Sequence, residues 1–303
     1  KMNWNFIESE KGHSTLFDQL ETLSPTMIEL LAQRGITMKE EAVQFLSPDL
    51  EQLHNPDQLS MIHKAVERVH QAIEQNEKIL VFGDYDADGV SSTTLLIKAL
   101  RELDAHCDYY IPNRFTEGYG PNEKAFRLAY EDGVSLIITV DTGIAAIHEA
   151  EVAKSLGIDL IVTDHHELQE QLPDAYAIIN PKCSPDYPFQ ELAGVGVTFK
   201  FVECLLGYFP EQYLDLVAIG TIADLVPLLD ENRVLAFYGL RTLSQTYNVG
   251  LKALIRQCQI EGDVTEQDVG FSLGPRINAV GRLQDATLVV QLLLTEDTAE
   301  AEE

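Results

Sequence analysis

The chain has 303 residues, of which 45% are apolar, and its 21 basic and 49 acidic residues give a formal charge of −28. The length and the apolar fraction exclude a minimal or disordered domain, and they allow one large α/β domain with an extra segment, or two domains. The charge argues against a stand-alone protein that holds nucleic acid on a broad basic surface. It does not exclude phosphoester chemistry, because bound divalent cations can reverse the local field.

The first 76 residues predict a helical accessory region. A helix-start pattern begins at Ser24-Pro25, and a second, amphipathic helix is indicated by apolar residues at three- and four-residue steps, Ile62, Val66, Val69 and Ile73. The N-terminus lacks a signal-peptide pattern, and no apolar run approaches the ~20 residues that span a bilayer. The sequence therefore predicts a cytoplasmic protein with no membrane partner.

From residue 77 to 245, short apolar runs alternate with helical segments, which predicts a catalytic α/β domain. Residues 79–82, 136–140 and 160–163 read as buried strands, and 107–112 and 177–181 as two more. Strands that alternate with helices of ten or more residues predict a mostly parallel sheet with helices on both faces. The segment from Ala193 to Ser244 is predicted to be mainly helical.

Residues 246–303 are predicted to be mixed in structure, and their acidic end reads as the start of a charged helix. A loop rich in Gly, Pro and Arg is expected at 273–276. The four cysteines are widely spaced and form no CxxC pair, so they are expected to be reduced core residues: Cys107, Cys183, Cys204 and Cys258.

Acidic residues and histidines follow three of the predicted strands. The first strand leads into Asp84, Asp86 and Asp88, the third into Asp141, and the fourth into Asp164-His165-His166. Ligand sites in such folds form outside the carboxyl ends of the strands, so these side chains are expected to converge on one cleft. Carboxylates with a few imidazoles suit Mn²⁺ or Mg²⁺, and two such ions can activate water in phosphoester cleavage.

Other interpretations of these residues remain open at this stage. The run Asp84–Gly89 alone is also typical of a calcium loop or a solvated turn, although position twelve, where an EF-hand needs glutamate, is Leu95. Asp141 alone could simply cap a helix. Asp224 ends an apolar, helix-like stretch, where a charge is costly unless it is paired, metal-bound or turned to solvent.

A second set of residues is a candidate for phosphate binding. The candidates are Arg114, Arg276 with the nearby Asn278, and Arg282. Guanidinium groups bind phosphate bidentately, so the three arginines are the main candidates. Gly194-Val195-Gly196-Val197-Thr198 is similar to half of a dinucleotide-binding motif. It follows no clear strand, so a dinucleotide site is rejected.

The acidic motifs in this order resemble those of the DHH phosphoesterase superfamily. They are Asp84-Tyr85-Asp86-Ala87-Asp88-Gly89, Asp141-Thr142-Gly143, Asp164-His165-His166 and Gly220-Thr221-Ile222-Ala223-Asp224. The flanks, including Asn180-Pro181-Lys182 and Gly274-Pro275-Arg276-Ile277-Asn278, are similar to the RecJ family of single-strand-specific 5′→3′ DNA exonucleases.

The resemblance implies metal ligation by Asp84, Asp86, Asp141, His165 and Asp224, with Asp141 bridging two Mn²⁺ or Mg²⁺ ions. It further implies that His166 contacts the scissile phosphate or supports the second metal, that Asp88 has a supporting role, and that the arginines and Asn278 hold the strand. Single-stranded DNA would be the substrate, in DNA repair and recombination, with a single-strand-binding protein and a helicase as partners.

Two departures from the superfamily pattern bear on function. Branches acting on pyrophosphate and short oligonucleotides carry a histidine at the position of Leu80, which favours the exonuclease branch and implies a weaker metal site. Exonucleases of this branch also continue into further domains, which implies that residues 246–303 end the catalytic core and start a helix that connects to a missing C-terminal domain. The competing hypotheses are a phosphodiesterase of short oligonucleotides or cyclic dinucleotides, and a replication scaffold without catalytic activity.

Overall fold

The structure is a computed structural model that describes residues 23–303, and these divide into two compact units between Leu53 and His54. The first unit contains the helices α1 (Pro25–Gln33) and α2 (Lys39–Leu46). Ser24 caps α1 by accepting a hydrogen bond of 3.3 Å from the Met27 amide, as the helix-start pattern predicted.

The second unit begins before helix α3 (Ile62–Glu74). The predicted amphipathic face of α3 is buried and packs against helix α7 (Gly194–Leu206) and strand β5 (Ala177–Ile179). Helix α3 therefore packs in the same unit as the sheet. The predicted boundary at residue 76, between an accessory region and the α/β domain, stays a prediction.

Five parallel strands form one sheet in the order β2-β1-β3-β4-β5. The remaining strands are β1 (Lys78–Phe82), β2 (Cys107–Tyr110), β3 (Val134–Thr139) and β4 (Asp159–Thr163). Helices connect the strands on both faces, as predicted: α4 (Ala87–Glu102), α5 (Glu123–Glu131) and α6 (Ile147–Leu156). The central strands are almost wholly apolar because helices cover them on both sides.

One apolar cluster fills the space between the sheet and the helices α5 and α6. Leu80 and Phe82 of β1 belong to it, together with Phe126 and Ile137. Leu80 is only 8% exposed and packs among these apolar side chains. Position 80 therefore offers no metal ligand.

Helices make up the rest of the second unit, as predicted for Ala193 to Ser244. They are α8 (Leu214–Ala223), α9 (Asp230–Ser244), α10 (Val249–Gln257), α11 (Glu266–Asp268), a π-helix (Val269–Leu273), α12 (Gly274–Leu283), α13 (Thr287–Leu294) and α14 (Thr298–Glu302). Within residues 23–303, no helix has both the length and the apolar character needed to cross a membrane.

Two sequence predictions are wrong in this region and in the core. The expected loop at 273–276 is helical: the π-helix runs directly into α12, and Pro275 is the second residue of α12. The four cysteines are unpaired, but they are half-buried rather than core residues. Cys107 begins the edge strand β2, and the other three lie in helical segments or at the end of one.

The sheet order places a crevice beside β1 and β3. Strand β1 is flanked by β2 and β3, so the chain leaves these neighbouring strands toward different sides of the sheet. In parallel α/β sheets, ligands bind at the carboxyl edge where the strand order reverses. Asp84 follows β1 and Asp141 follows β3, so both acids enter this crevice.

Candidate metal centre

The turn after β1 supplies three aspartates. Asp84 is 4% exposed, and its Oδ1 accepts a hydrogen bond of 2.8 Å from the Tyr85 amide. Asp86 caps α4 by accepting a hydrogen bond of 2.9 Å from the Gly89 amide. Asp88, in the first turn of α4, is 1% exposed. Local hydrogen bonds to backbone amides thus fix the direction of the first two carboxylates.

Asp141 follows β3 in a strained conformation. Its φ is +58°, in the left-handed region that few residues other than glycine adopt, and its side chain is buried. Its Oδ1 accepts no hydrogen bond from residues 23–303. Strain and an unsatisfied buried oxygen together are typical of a residue held for function rather than for stability.

Asp164 orients the two histidines after β4. Its Oδ1 accepts a hydrogen bond of 2.6 Å from His166 Nδ1, and its Oδ2 accepts one of 2.9 Å from the Ile144 amide. In the neutral ring, a proton on Nδ1 leaves the Nε2 atom of His166 as an acceptor, and in the charged ring Nε2 is a second donor. Asn180 and Lys182 hold the backbone by donating to the carbonyl oxygens of His166 and His165, at 3.1 Å and 2.8 Å.

Asp224 reaches the same cleft from the end of α8. Its Oδ2 lies 3.7 Å from His165 Nε2, which also lies 3.1 Å from Asp141 Oδ1 and 3.8 Å from Asp88 Oδ2. Like Asp141 Oδ1, the Nε2 atom of His165 has no hydrogen-bond partner in the described part of the chain. The carboxylate of Asp224 therefore faces the site.

The candidate ligands form three overlapping groups whose ligand atoms lie within 4.8 Å of one another. The groups are Asp84, Asp86 and Asp141; Asp141, His165 and His166; and Asp88, His165 and Asp224. Asp141 and His165 each belong to two groups. This set of oxygens with a few imidazole nitrogens fits Mn²⁺ or Mg²⁺, and a cation would satisfy the unpaired atoms of Asp141 and His165.

Asp88 has a structural partner that the sequence did not suggest. Its two carboxylate oxygens accept hydrogen bonds of 2.8 Å from the amides of Gly194 and Val195, at the beginning of α7. A negative charge there is stabilised by the helix dipole. Asp88 thus joins the starts of α4 and α7 while lying beside His165.

Two glycines make room for the carboxylates. A Cβ at Gly194 would overlap Asp141 Oδ1 and lie 2.7 Å from Asp141 Cβ. A Cβ at Gly220 would lie 2.8 Å from Asp88 Oδ1. The sequence analysis treated Gly194 as part of a rejected motif, and nothing in the local pattern pointed to its contact with Asp141.

The crowding of acids changes their ionisation. Burial, followed by the charge of Asp86, raises the pKa values of Asp84 and Asp88 to about 7. Burial, followed by the charge of Asp88, raises the pKa of Asp224 to about 7 and holds that of Asp141 well above its usual range. Without a cation, the folded protein therefore binds protons that the unfolded chain releases.

The same groups predict a pH-dependent response to metal. Raised carboxyl pKa values stabilise the metal-free fold below the unfolded pKa near 4, and that contribution is lost as pH rises through about 7. A cation must displace these protons. We expect Mn²⁺ to raise the melting temperature far more at about pH 8 than at about pH 5.5 in thermal denaturation scans. Equal shifts at both pH values would contradict this assignment of the ligands.

His166 has a raised pKa, because its hydrogen bond to Asp164 favours the charged imidazole despite burial. We expect Asp164→Asn to lower kcat about 10- to 100-fold, since outer hydrogen-bond partners of ligands typically contribute that much. The Mn²⁺ affinity, measured by calorimetry, should change less than kcat. An unchanged kcat would show that the orientation of His166 does not matter for turnover.

The predicted phosphate-binding residues lie on two separate segments, the stretch after β2 and helix α12. Arg114 is exposed, with its guanidinium 5.6 Å from the centre of the Tyr85 ring. Arg276 and Arg282 are exposed on α12, and Arg276 donates a hydrogen bond of 2.9 Å to the Gln257 carbonyl. Asn278 Oδ1 accepts a hydrogen bond of 2.8 Å from the Ala87 amide, so this oxygen is occupied by the acidic turn.

Known proteins are similar to this chain in sequence. Residues 78–221 match the DHH family, N-terminal domain. The single-stranded-DNA-specific exonuclease RecJ of Bacillus subtilis (strain 168) is 51% identical over 308 residues, which cover 100% of this chain and 39% of that protein. RecJ of Escherichia coli (strain K12) is 40% identical, over 92% of this chain and 51% of that protein. The chain thus spans about half the length of these relatives or less.

Solved structures agree with these matches. RecJ from Thermus thermophilus in complex with Mn²⁺ is 33% identical, with a TM-score of 0.80 over 94% of this chain and 41% of that one. An exonuclease RecJ bound to manganese is 36% identical, with a TM-score of 0.77 over 84% of this chain and 65% of that one. The fold of this chain is shared with these two proteins, both of which are bound to Mn²⁺.

Proposed function

We propose that this chain, which belongs to the DHH family, carries the catalytic site of a metal-dependent 5′→3′ exonuclease that hydrolyses single-stranded DNA to 5′-mononucleotides. The observation that supports this most directly is the buried pair Asp141 Oδ1 and His165 Nε2, 3.1 Å apart and unsatisfied within residues 23–303. The substrate class follows from the relatives named single-stranded-DNA-specific exonuclease.

The ligands are proposed to be Asp84, Asp86, Asp141, His165 and Asp224, with Asp141 shared between two Mn²⁺ or Mg²⁺ ions. Membership of Asp141 in two of the ligand groups supports the sharing. Such ions, when bound, lower the pKa of a water molecule and neutralise charge on the phosphate. Asp88 is 3.8 Å from His165 Nε2 and is proposed to support the site through its hydrogen bonds to α7.

His166 is proposed to contact the scissile phosphate. Its Nδ1–H is held by Asp164 and its side chain is 43% exposed, so the ring can face a substrate while its orientation stays fixed. A histidine with a raised pKa also places positive charge next to a phosphate. Tyr119 supports the ring from the side, with its hydroxyl 3.3 Å from His166 Nδ1.

Arg114 and Arg282 are proposed to hold the phosphates of the strand, because both are exposed and both are near the acidic turn: Arg114 lies over the Tyr85 ring, and Arg282 follows Gly281, which is close to the Tyr85 carbonyl. Arg276 is proposed as a weaker contributor, since its guanidinium is already bound to the Gln257 carbonyl. A role in repair and recombination and partnership with a single-strand-binding protein or a helicase follow from the family resemblance alone, and a cytoplasmic location stays the prediction made from the sequence.

The alternatives are less well supported. A phosphodiesterase of short oligonucleotides would be favoured by a histidine ligand at position 80, where Leu80 packs in the apolar cluster. A scaffold without catalytic activity has no need for four crowded carboxylates with raised pKa values, which destabilise the metal-free fold at neutral pH and above.

One assay separates these functions. The chain is incubated with Mn²⁺ and 5′-labelled single-stranded DNA, duplex DNA, short RNA or pyrophosphate, beside an Asp141→Asn control. Release of 5′-mononucleotides from single-stranded DNA alone is the expected result. A preference for fragments of two to five nucleotides would support the phosphodiesterase, and turnover that does not depend on Asp141 would refute the site.

A further inference from the structure

Helix α12 touches the acidic turn at Asn278. The side-chain Oδ1 of Asn278 accepts a hydrogen bond of 2.8 Å from the Ala87 amide. Ala87 is the first residue of α4, lies between Asp86 and Asp88 in the sequence, and is 1% exposed. Its amide is one of those at a helix start that have no partner inside the helix. Asn278 therefore satisfies a buried donor in the middle of the acidic turn.

A second contact, about one helical turn further along α12, involves backbone. A Cβ at Gly281 would overlap the carbonyl oxygen of Tyr85 and lie 3.4 Å from its carbonyl carbon. Tyr85 separates Asp84 from Asp86. Only a glycine lets the backbone of α12 approach the turn this closely, so the helix packs directly on the segment that carries two proposed ligands.

The first residue of α12 touches the other side of the site. A Cβ at Gly274 would lie 3.1 Å from the Cβ of Ala223, the residue immediately before Asp224. The preceding π-helix, Val269–Leu273, also packs against α8. π-helical turns of this kind occur frequently at functional sites. Helix α12 therefore contacts both the Asp84–Asp88 turn and the end of α8.

We propose that α12 is a brace that sets the distance between the Asp84–Asp88 turn and Asp224, and that Asn278 and Gly281 are positioning residues for the metal centre. The inference rests on the proposed function for the existence of that centre. It assigns Asn278 a role other than substrate binding. It also makes a helix outside residues 78–221, the segment that matches the DHH domain, part of what holds the ligands in place.

If α12 positions the ligands, its contacts contribute to metal affinity as well as to the stability of the fold. Ligands spread over separate segments must be preorganised within a fraction of an ångström if the ions are to bind tightly. Loss of the Asn278 contact leaves the Ala87 amide unsatisfied and frees the turn to move. Metal affinity should then fall, whereas loss of an ordinary packing contact would lower only the melting temperature.

The test compares four variants of the chain with the parent. Asn278→Ala removes the acceptor, and Asn278→Asp restores an oxygen at the same position. Gly281→Ala pushes α12 away from Tyr85. Gly270→Ala is the matched control, because a Cβ there meets nothing within 4 Å. Mn²⁺ affinity is measured by calorimetry, the metal-free melting temperature by scanning, and cleavage of single-stranded DNA in parallel.

We expect Asn278→Ala and Gly281→Ala to weaken Mn²⁺ binding about 10- to 100-fold, the usual effect of losing an outer partner of metal ligands. Asn278→Asp should recover most of the affinity, and Gly270→Ala should match the parent. Affinities of both Asn278→Ala and Gly281→Ala within about twofold of the parent would overturn the brace, whatever their melting temperatures, since outer partners normally contribute more than this. A parent that binds Mn²⁺ but cleaves no DNA would refute the proposed function while these affinities still decide the inference.

Discussion

Asparagine at position 141 is expected to abolish hydrolysis of single-stranded DNA, with a loss of at least ~10³-fold, because loss of several kcal/mol of cation binding and charge stabilisation costs that much in rate. Asparagine suits the backbone, since it tolerates the left-handed conformation that Asp141 adopts at φ +58°. The variant should also lose the Mn²⁺-dependent rise in melting temperature.

The same variant should melt at a higher temperature than the parent when metal is absent. Asp141 is buried among acids that raise its pKa, so the parent must bind a proton or hold a buried charge on folding. Relief of each kcal/mol corresponds to about 2–4 °C in a chain of roughly this size. A lower metal-free melting temperature would show instead that Asp141 has a structural partner.

Asp215→Asn provides the matched control for this experiment. Asp215 is also buried, at 4% exposure, and burial raises its pKa, but its carboxylate is satisfied by Thr246 Oγ1 and the Leu216 amide. The control should keep activity and its response to Mn²⁺. Equal loss of activity in Asp141→Asn and Asp215→Asn would mean that the loss comes from a change in the stability of the fold and not from loss of a metal ligand.

Alanine at position 194 is expected to have the second largest effect, a loss of about 10²-fold in activity together with weaker Mn²⁺ binding. The added Cβ would overlap Asp141 Oδ1, and overpacking at a rigid site costs about 1–3 kcal/mol, with ligand displacement in addition. Because Asp141 is shared by two ligand groups, a small movement of its carboxylate disturbs both. Calorimetry with Mn²⁺ and single-turnover cleavage assays measure the two effects.

Gly196→Ala is the control in the same helix. A Cβ there would lie 3.2 Å from Leu192 Cδ2, the end of a flexible side chain, so the helix can accept it with a small adjustment. Alanine also favours the helical conformation over glycine by roughly 0.5–1 kcal/mol, so activity should stay close to that of the parent. Equal losses of activity in Gly194→Ala and Gly196→Ala would show that an added methyl group anywhere at the start of α7 lowers activity, and not only one that overlaps Asp141.

The sequence was sufficient to predict the sheet and the residues at its carboxyl edge. Buried parallel strands are short apolar runs, and these runs are visible in residues 79–82, 136–140 and 160–163. Strand ends converge by topology, so Asp84, Asp141 and His165 could be placed together before any distance was known.

Features that depend on contacts between distant segments could not be predicted. Gly194 lies far along the chain from Asp141, and no local pattern shows that its missing Cβ makes room for a carboxylate. The bonds of Asp88 to α7 and of Asn278 to Ala87 are of the same kind. The helix at Gly274 was predicted to be a loop because Gly and Pro usually break helices, whereas here Pro275 lies in the first turn.

The order of the strands has a consequence for how the chain folds. Strand β1 pairs with β3, and the ligands come from segments as far apart in sequence as Asp84 and Asp224. Such non-local pairings form slowly, because the chain loses the entropy of a long loop before the stabilising contacts form. A partly folded chain therefore has no complete set of candidate ligands, and a cation can be held only after the long-range contacts have brought these segments together.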